Sequence, residues 1–232
     1  MELFNQKLKA GAFELGVNLS DEQCLSFYNY YQMVVEYNKN VNLTAITDEN
    51  DFIVKHFLDS LSAEKLIPVN SNICDIGAGA GFPSIPLKLA RDDLSMTLMD
   101  ALNKRVVFLD KAISELGLSK TVAVHIRAED AGRATFREKF SCVVARAVAD
   151  ISVLAEYAIP LLKVGGTFIA YKGANIDELD GLEKVLCALK SKLIKIEPLC
   201  LPYSGDKRTL IVIQKLQATP SLYPRPQAKI KW

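Results

Sequence analysis

The chain has 232 residues, of which 50% are hydrophobic, and carries 28 Lys/Arg against 27 Asp/Glu for a formal net charge of +1. That length supports one large domain or a domain with an appendage, and the charge balance excludes a uniformly basic nucleic-acid binder. No apolar run reaches the roughly 18 residues of a membrane span, and MELFNQKLKAG lacks the basic-then-apolar order of a secretory signal, so a soluble cytoplasmic protein with no membrane partner is expected.

Charge is unevenly spread. Residues 1–60 carry 4 Lys/Arg against 9 Asp/Glu, whereas residues 151–232 carry 12 against 7. The last ten residues, YPRPQAKIKW, hold three basic groups and no acid, which allows a local basic surface. Cys24, Cys74, Cys142, Cys187 and Cys200 form no CxxC pair, so neither a disulfide framework nor a zinc or other metal site is expected. They read as small buried hydrophobes in a reducing compartment.

In chain order, the first 60 or so residues are helical. Ser20-Asp21-Glu22-Gln23 fits a capping box, and Phe27, Tyr31, Val34 and Val35 follow at the three- and four-residue spacing of one apolar face. YNKNVNLTAITDEN is polar and reads as a loop, after which KHFLDSLSAEKLI returns to helical spacing. From Asn72 strands and helices alternate. NICDI, SMTLMD, TVAVHI, SCVVARAV and TFIAYKG are strands, and helices follow the first two, the latter from about Lys104 to Leu116 with Gly117 just beyond its end. ISVLAEYAIPLL is a helix, Gly165-Gly166 a turn, and a further helix runs from about Asp177 to Leu193. IKIEPLCLPY and RTLIVIQKL close the chain as an antiparallel pair, because SGDKR is too short for a crossover. Regular βα alternation predicts an α/β fold with a doubly wound, mostly parallel sheet. The expected organisation is a helical extension over 1–65 and a second part over 66–232 ending in a short basic tail, together one structural unit.

The loop after the first strand, DIGAGAGFPSIP, carries the cofactor information. It lacks the GxxxxGK[ST] of a phosphate loop, and Phe82 stands where a dinucleotide fingerprint needs its third glycine. Gly77, Gly79 and Gly81 instead give GxGxG, followed by Pro83 and Pro86 in a first helical turn, where missing N–H groups cost nothing but would weaken a phosphate site. This loop resembles the S-adenosylmethionine (SAM) loop of the class I methyltransferases, which implies SAM as cofactor and a seven-stranded sheet with an antiparallel C-terminal strand. Asp75 ends the first strand. Asp100 ends the second about 20 residues past the loop, where a carboxylate can accept from ribose hydroxyls. Ala128 and Glu129 follow the third strand, where an adenine can be met.

For the methyl acceptor, the residues exclude more than they identify. After the fourth strand stands ARAVAD rather than the Asn/Asp-Pro-Pro-aromatic clamp of exocyclic amine methylation. No cysteine sits where a pyrimidine C5 enzyme needs a nucleophile, and no ligand cluster suggests a metal-dependent catechol site. An acceptor that is already nucleophilic, such as guanine N7, fits this pattern. Another acceptor, or a non-catalytic ribosome-assembly module, stays open at this point.

Taken together, YNKNVNLTAIT, KHFLDSLS, DIGAGAGFPSIPLKLA, MDALNKRVVFL, RAED, ARAVA, YKG and YPRPQAKIKW make the chain similar to the bacterial 16S rRNA guanine-N7 methyltransferase family, RsmG, also called glucose-inhibited division protein B. Ser84 departs from that pattern, which commonly has glycine there. The resemblance implies methylation of guanosine 527 in 16S rRNA, on the 30S subunit or an assembly intermediate; a monomer is expected. It also implies SAM contacts at Gly77, Phe82, Ala128, Glu129 and Arg146, with Asp100 near the ribose and Arg146 facing the acceptor as the catalytic candidate. His56 is placed where the helical extension approaches the site, whereas His125, inside a strand, reads as a core residue. Lys55, Lys172, Arg225, Lys229 and Lys231 are candidates for RNA phosphate contact, and truncation after Leu222 is expected to weaken RNA engagement more than SAM binding.

Overall fold

The computed structural model describes residues 1–146, 149–174, 179–230 and 232. Among them a seven-stranded sheet runs in the order β3-β2-β1-β4-β5-β7-β6. The strands are β1 (Asn72–Ile76), β2 (Ser95–Asp100), β3 (Thr121–His125), β4 (Phe140–Arg146), β5 (Leu162–Lys172), β6 (Ser191–Cys200) and β7 (Lys207–Lys215). Pairing is parallel through β5, and β7 inserts antiparallel between β5 and β6. The expected doubly wound, mostly parallel sheet is therefore present, and the chain reverses direction of travel between β1 and β4. That switch point opens a crevice at the carboxyl ends of the strands.

Two hydrophobic clusters cover the two faces. One joins α1 (Glu2–Glu14), α2 (Asp21–Asn38), α5 (Ser84–Ala90) and α6 (Asn103–Glu115) to the sheet. The other joins α7 (Ala128–Arg133), α8 (Ile151–Ala158) and α9 (Leu182–Ala188). Strand alternation assigns the site residues. Ile73, Cys142 and Val144 face the first cluster while Cys74, Ile76, Val143 and Ala145 face the second, so Asp75 and Arg146 look toward the N-terminal helices.

The capping box of α2 ties those helices to the far end of α5, the helix that follows the glycine loop. The Ser20 hydroxyl accepts from the Gln23 N–H at 3.1 Å and the Gln23 side chain accepts from the Ser20 N–H at 2.9 Å. The Gln23 amide then donates to the carbonyls of Leu89 and Ala90, joining the start of α2 to the end of α5. Farther along, Asn38 braces the polar loop by accepting from the N–H groups of Leu43 and Thr44. The next helix begins as α3 (Glu49–Phe52), widens into a π-helical stretch (Ile53–Leu58) and ends as α4 (Asp59–Leu61).

Several local expectations need correction. Gly165-Gly166 is no turn ahead of a strand. The β4–β5 register moves from Phe140↔Leu162 to Cys142↔Thr167, so the glycines lie in a bulge inside a longer β5. The expected start of the next helix lies outside the described residues, and its expected end at Leu193 is too late. Lys190 takes a left-handed φ of 58° and β6 begins at Ser191 to pair with β7. Cys187 and Cys200 are exposed, whereas Cys24, Cys74 and Cys142 are buried as expected. His125 is also exposed rather than internal, because β3 is an edge strand, and its ring bonds the Ala101 carbonyl at 3.0 Å. No helix among the described residues is long and apolar enough to cross a membrane.

Candidate functional site

The glycine loop turns back under the end of β2. Gly77 and Ala78 both donate to the Met99 carbonyl, Gly81 and Phe82 donate to that of Ala78, and Gly79 donates to the Asp100 carboxylate at 2.9 Å. These N–H groups are spent inside the protein, which leaves the loop poorly suited to an anion and well suited to a flat, uncharged ligand surface. Asp100 is buried, also accepts from the Leu102 N–H at 2.8 Å, and sits 3.4 Å from Arg105. A carboxylate has about four acceptor positions, so hydroxyl donors can still be received there.

Gly81 carries the tightest steric demand. Its φ is +97°, and a Cβ would lie 2.5 Å from Ile85 Cδ1 and 2.8 Å from the Tyr30 hydroxyl, which itself donates to the Ala80 carbonyl. Gly81→Ala is therefore expected to lower stability by about 2–3 kcal/mol, read as a shift in denaturation midpoint. Gly117→Ala is the control. It shares a positive φ, +61°, but nothing lies within 4 Å of its added Cβ, so its loss reports backbone strain alone.

Asp75, two residues before Gly77 near the end of β1, is 1% exposed, and neither carboxylate oxygen meets a partner in good hydrogen-bond geometry, although Ser84 lies beside it. Burial pushes its pKa up to about 7. The nearby Ser84 hydroxyl and N–H and the Arg146 charge oppose that rise without cancelling it. A buried carboxyl whose pKa is raised this far is a candidate functional group.

Across the switch point, Arg146 ends β4 and gathers the extension's residues. Its guanidinium donates to the Lys55 carbonyl at 3.0 Å, to Asp59 at 3.0 Å and to His56 Nδ1 at 3.1 Å, and lies 5.1 Å over the Phe82 ring. Arginine can only donate, so His56 Nδ1 is the acceptor and Nε2 carries the proton toward Thr44 Oγ1, 2.8 Å away. Burial first, and the Arg146 charge second, lower the His56 pKa to about 3. The ring is thus neutral near pH 7, and it stacks on Phe82 at 4.3 Å with an 8° interplanar angle. Asp59 also accepts from Arg208 at 3.1 Å, so one buried carboxylate holds two guanidinium groups. The π-helical stretch supplies both the Lys55 carbonyl and the His56 ring, and such wide turns recur at functional sites.

Gly77, Asp100, Ala128 and Glu129 share one cleft with Ile76, Met99, Ile126 and Tyr157. Asp75, Gly81, Phe82, His56 and Arg146 form the adjoining group under the N-terminal helices. Among the described residues, the basic candidates have different surroundings. Lys55 pairs with Asp51 at 2.9 Å, and Lys172 donates to the Ala149 carbonyl at 2.6 Å next to Tyr171, the register partner of Arg146. Arg225 is redirected altogether, because fully buried Glu156 needs a partner and takes it in a two-pronged pair. Lys229 is exposed in a short turn over Gln227–Lys229, and Lys231 lies outside the described residues, as do two residues of ARAVA. Sequence reasoning missed Tyr30, Thr44, Asp59, Arg208 and Tyr157. Asp59 alone had a local signal, since it stands three residues after His56 on the same helical face.

The strand order, the glycine turn and the carboxylates at the ends of β1 and β2 define a class I SAM-dependent methyltransferase fold. Solved structures share that fold at low identity. The chain matches the B. subtilis M1A22 tRNA methyltransferase TrmK with a TM-score of 0.56 and 13% identity, covering 69% of this chain and 66% of that one. It matches M. jannaschii TYW2 in complex with AdoMet with a TM-score of 0.53 and 16% identity, covering 67% and 74%. Sequence comparison is more specific. The GidB family profile, rRNA small subunit methyltransferase G, matches residues 23–202. The proteins named ribosomal RNA small subunit methyltransferase G from Desulforamulus reducens and Lactobacillus johnsonii are 47% and 46% identical, covering 94% and 97% of this chain and 92% and 95% of theirs. The chain belongs to the rRNA small subunit methyltransferase G family.

Proposed function

We propose that this protein transfers a methyl group from SAM to N7 of guanosine 527 in 16S rRNA, acting on the 30S subunit or an assembly intermediate. Gly77, Gly79 and Gly81 would give the cofactor an uncrowded backbone surface, Asp75 would face its ammonium, Asp100 its ribose, and Ala128 and Glu129 its base. Bound there, SAM supplies a sulfonium methyl that passes in line to an acceptor lone pair and leaves a neutral thioether.

One observation carries the choice of acceptor. Of the groups near Arg146 that could act as a base, Asp75 is assigned to the cofactor's ammonium in this reading, and the other two, His56 and Asp59, are already engaged. His56 is neutral with both ring nitrogens bonded, and Asp59 is held between Arg146 and Arg208. Guanine N7 presents a lone pair in the base plane with no proton to remove, so alignment suffices. Arg146 would orient the base through the oxygen next to N7, leaving N7 itself unblocked. The test is transfer of tritiated methyl from SAM to undermethylated 30S subunits, with separate counting of rRNA, protein and small-molecule fractions. Label in rRNA is expected. Label in either other fraction, with none in rRNA, would overturn the assignment.

A further inference from the structure

The basic tail reads from sequence as an RNA-binding arm, yet the structure spends its anchoring groups on the protein. Arg225 donates to Glu156 from its backbone N–H at 2.6 Å, from Nε at 3.0 Å and from Nη2 at 2.7 Å, and Glu156 on α8 is fully buried. Arg133 on α7 donates to the Pro224 carbonyl at 2.9 Å, and Arg137 donates to the Tyr223 carbonyl at 2.7 Å. Pro224 sits so close to Gly132 that a Cβ there would lie 3.1 Å from its ring. Trp232 folds back with the Arg225 guanidinium 4.3 Å over its ring.

These contacts fix the tail to α7 and α8, which flank the cleft lined by Asp100, Ala128, Glu129 and Tyr157. Gln227, two residues past the Arg225 anchor, lines that same cleft. The walls contributed by Ile76, Met99, Ile126 and Ala128 are apolar and suit a flat ring, and Gln227 adds a side-chain amide. An amide carries a donor and an acceptor side by side, the pattern that matches an adenine amino group and its neighbouring ring nitrogen.

We infer that the C-terminal tail is a wall of the cofactor cleft and that Gln227 recognises the adenine of the cofactor. This rests on the reading of the cleft as a SAM site. The test is calorimetric binding of S-adenosylhomocysteine and its inosine analogue, in which a carbonyl replaces the amino group, to the full-length wild-type chain and to Gln227→Ala. Wild type is expected to prefer the adenine ligand by about tenfold or more. The variant should bind it about tenfold more weakly and lose the preference. Removal of residues 223–232 should weaken the adenine ligand at least as much. Equal weakening of both ligands by Gln227→Ala, with the preference kept, would reduce Gln227 to a structural residue and overturn the inference, as would unchanged binding. If wild type binds neither ligand, the SAM reading itself fails and the inference falls with it.

Discussion

Replacing Arg146 by alanine is expected to lower methyl transfer to 30S subunits by a factor of about 10² to 10³, the scale seen when a preorganised donor is removed from a reacting centre, while the fold should persist. The guanidinium is a junction. It spans a π-helical carbonyl, a carboxylate and an imidazole, and its face covers Phe82 of the glycine loop. Its loss leaves Asp59 with Arg208 as a remaining ion-pair partner and frees His56 Nδ1, which costs about 1–3 kcal/mol of stability. That cost is separable from the loss of transfer by measuring denaturation midpoints alongside turnover. Arg146→Lys keeps the charge without the planar fork, so it should restore part of the stability and little of the transfer. Removing Arg146 also removes the second of the two causes depressing the His56 pKa, so the imidazole should titrate at higher pH by NMR. Unchanged methylation by Arg146→Ala would contradict this role.

The second large effect belongs to Asp75. Its folded pKa of about 7 lies above the ordinary carboxyl value of 3.8 because burial disfavours the charge. The folded, ligand-free chain therefore keeps this proton at pH values where the unfolded chain has released it. The resulting stabilisation is complete below pH 3.8 and fades as pH rises to about 7, a loss on the order of 4 kcal/mol. His56 works in the opposite sense. Its folded pKa of about 3 lies below 6.5, so its burden is absent above pH 6.5 and grows as pH falls toward 3. Between about pH 4 and 6.5 the two slopes cancel, since the folded chain holds one proton and the unfolded chain holds the other. Asp75→Asn should unmask the His56 slope, about 1.4 kcal/mol per pH unit, with stability rising as pH rises across that window.

On the proposed reading, the same carboxyl would also set cofactor affinity. A cationic ammonium placed against Asp75 favours the ionised form, so binding S-adenosylhomocysteine should release a proton below pH 7. Affinity should rise by up to tenfold per pH unit toward neutrality. Calorimetry in buffers of different ionisation enthalpy reads that proton directly. In Asp75→Asn the affinity should drop and the pH slope disappear. A wild-type affinity independent of pH from 5 to 7 would contradict the assignment.

Much of this was readable before any coordinates. The sheet class followed from strand–helix alternation, and the class I glycine loop was read from GxGxG with Phe82 and two prolines. The capping box at Ser20 formed as the spacing required, because both of its bonds are local. What the sequence hid was set by distant partners. Arg225 looked like a free cation because Glu156, which claims it, lies 69 residues away on α8. Arg208 gave no local signal. Its place beside Asp59 needs β7 inserted next to β5, and then strand alternation puts it on the same face as Leu210 and the N-terminal helices. The overlong final helix came from LKSKLIK, whose apolar spacing suits a helix until pairing with β7 decides otherwise.

The most direct measurement is the position of the methyl group. Undermethylated 30S subunits are incubated with the protein and SAM, and the rRNA is then cleaved chemically at 7-methylguanosine and mapped by primer extension. A new, SAM-dependent stop at guanosine 527, absent with Arg146→Ala, is the predicted result. A labelled rRNA with no cleavage at that nucleotide would contradict the account.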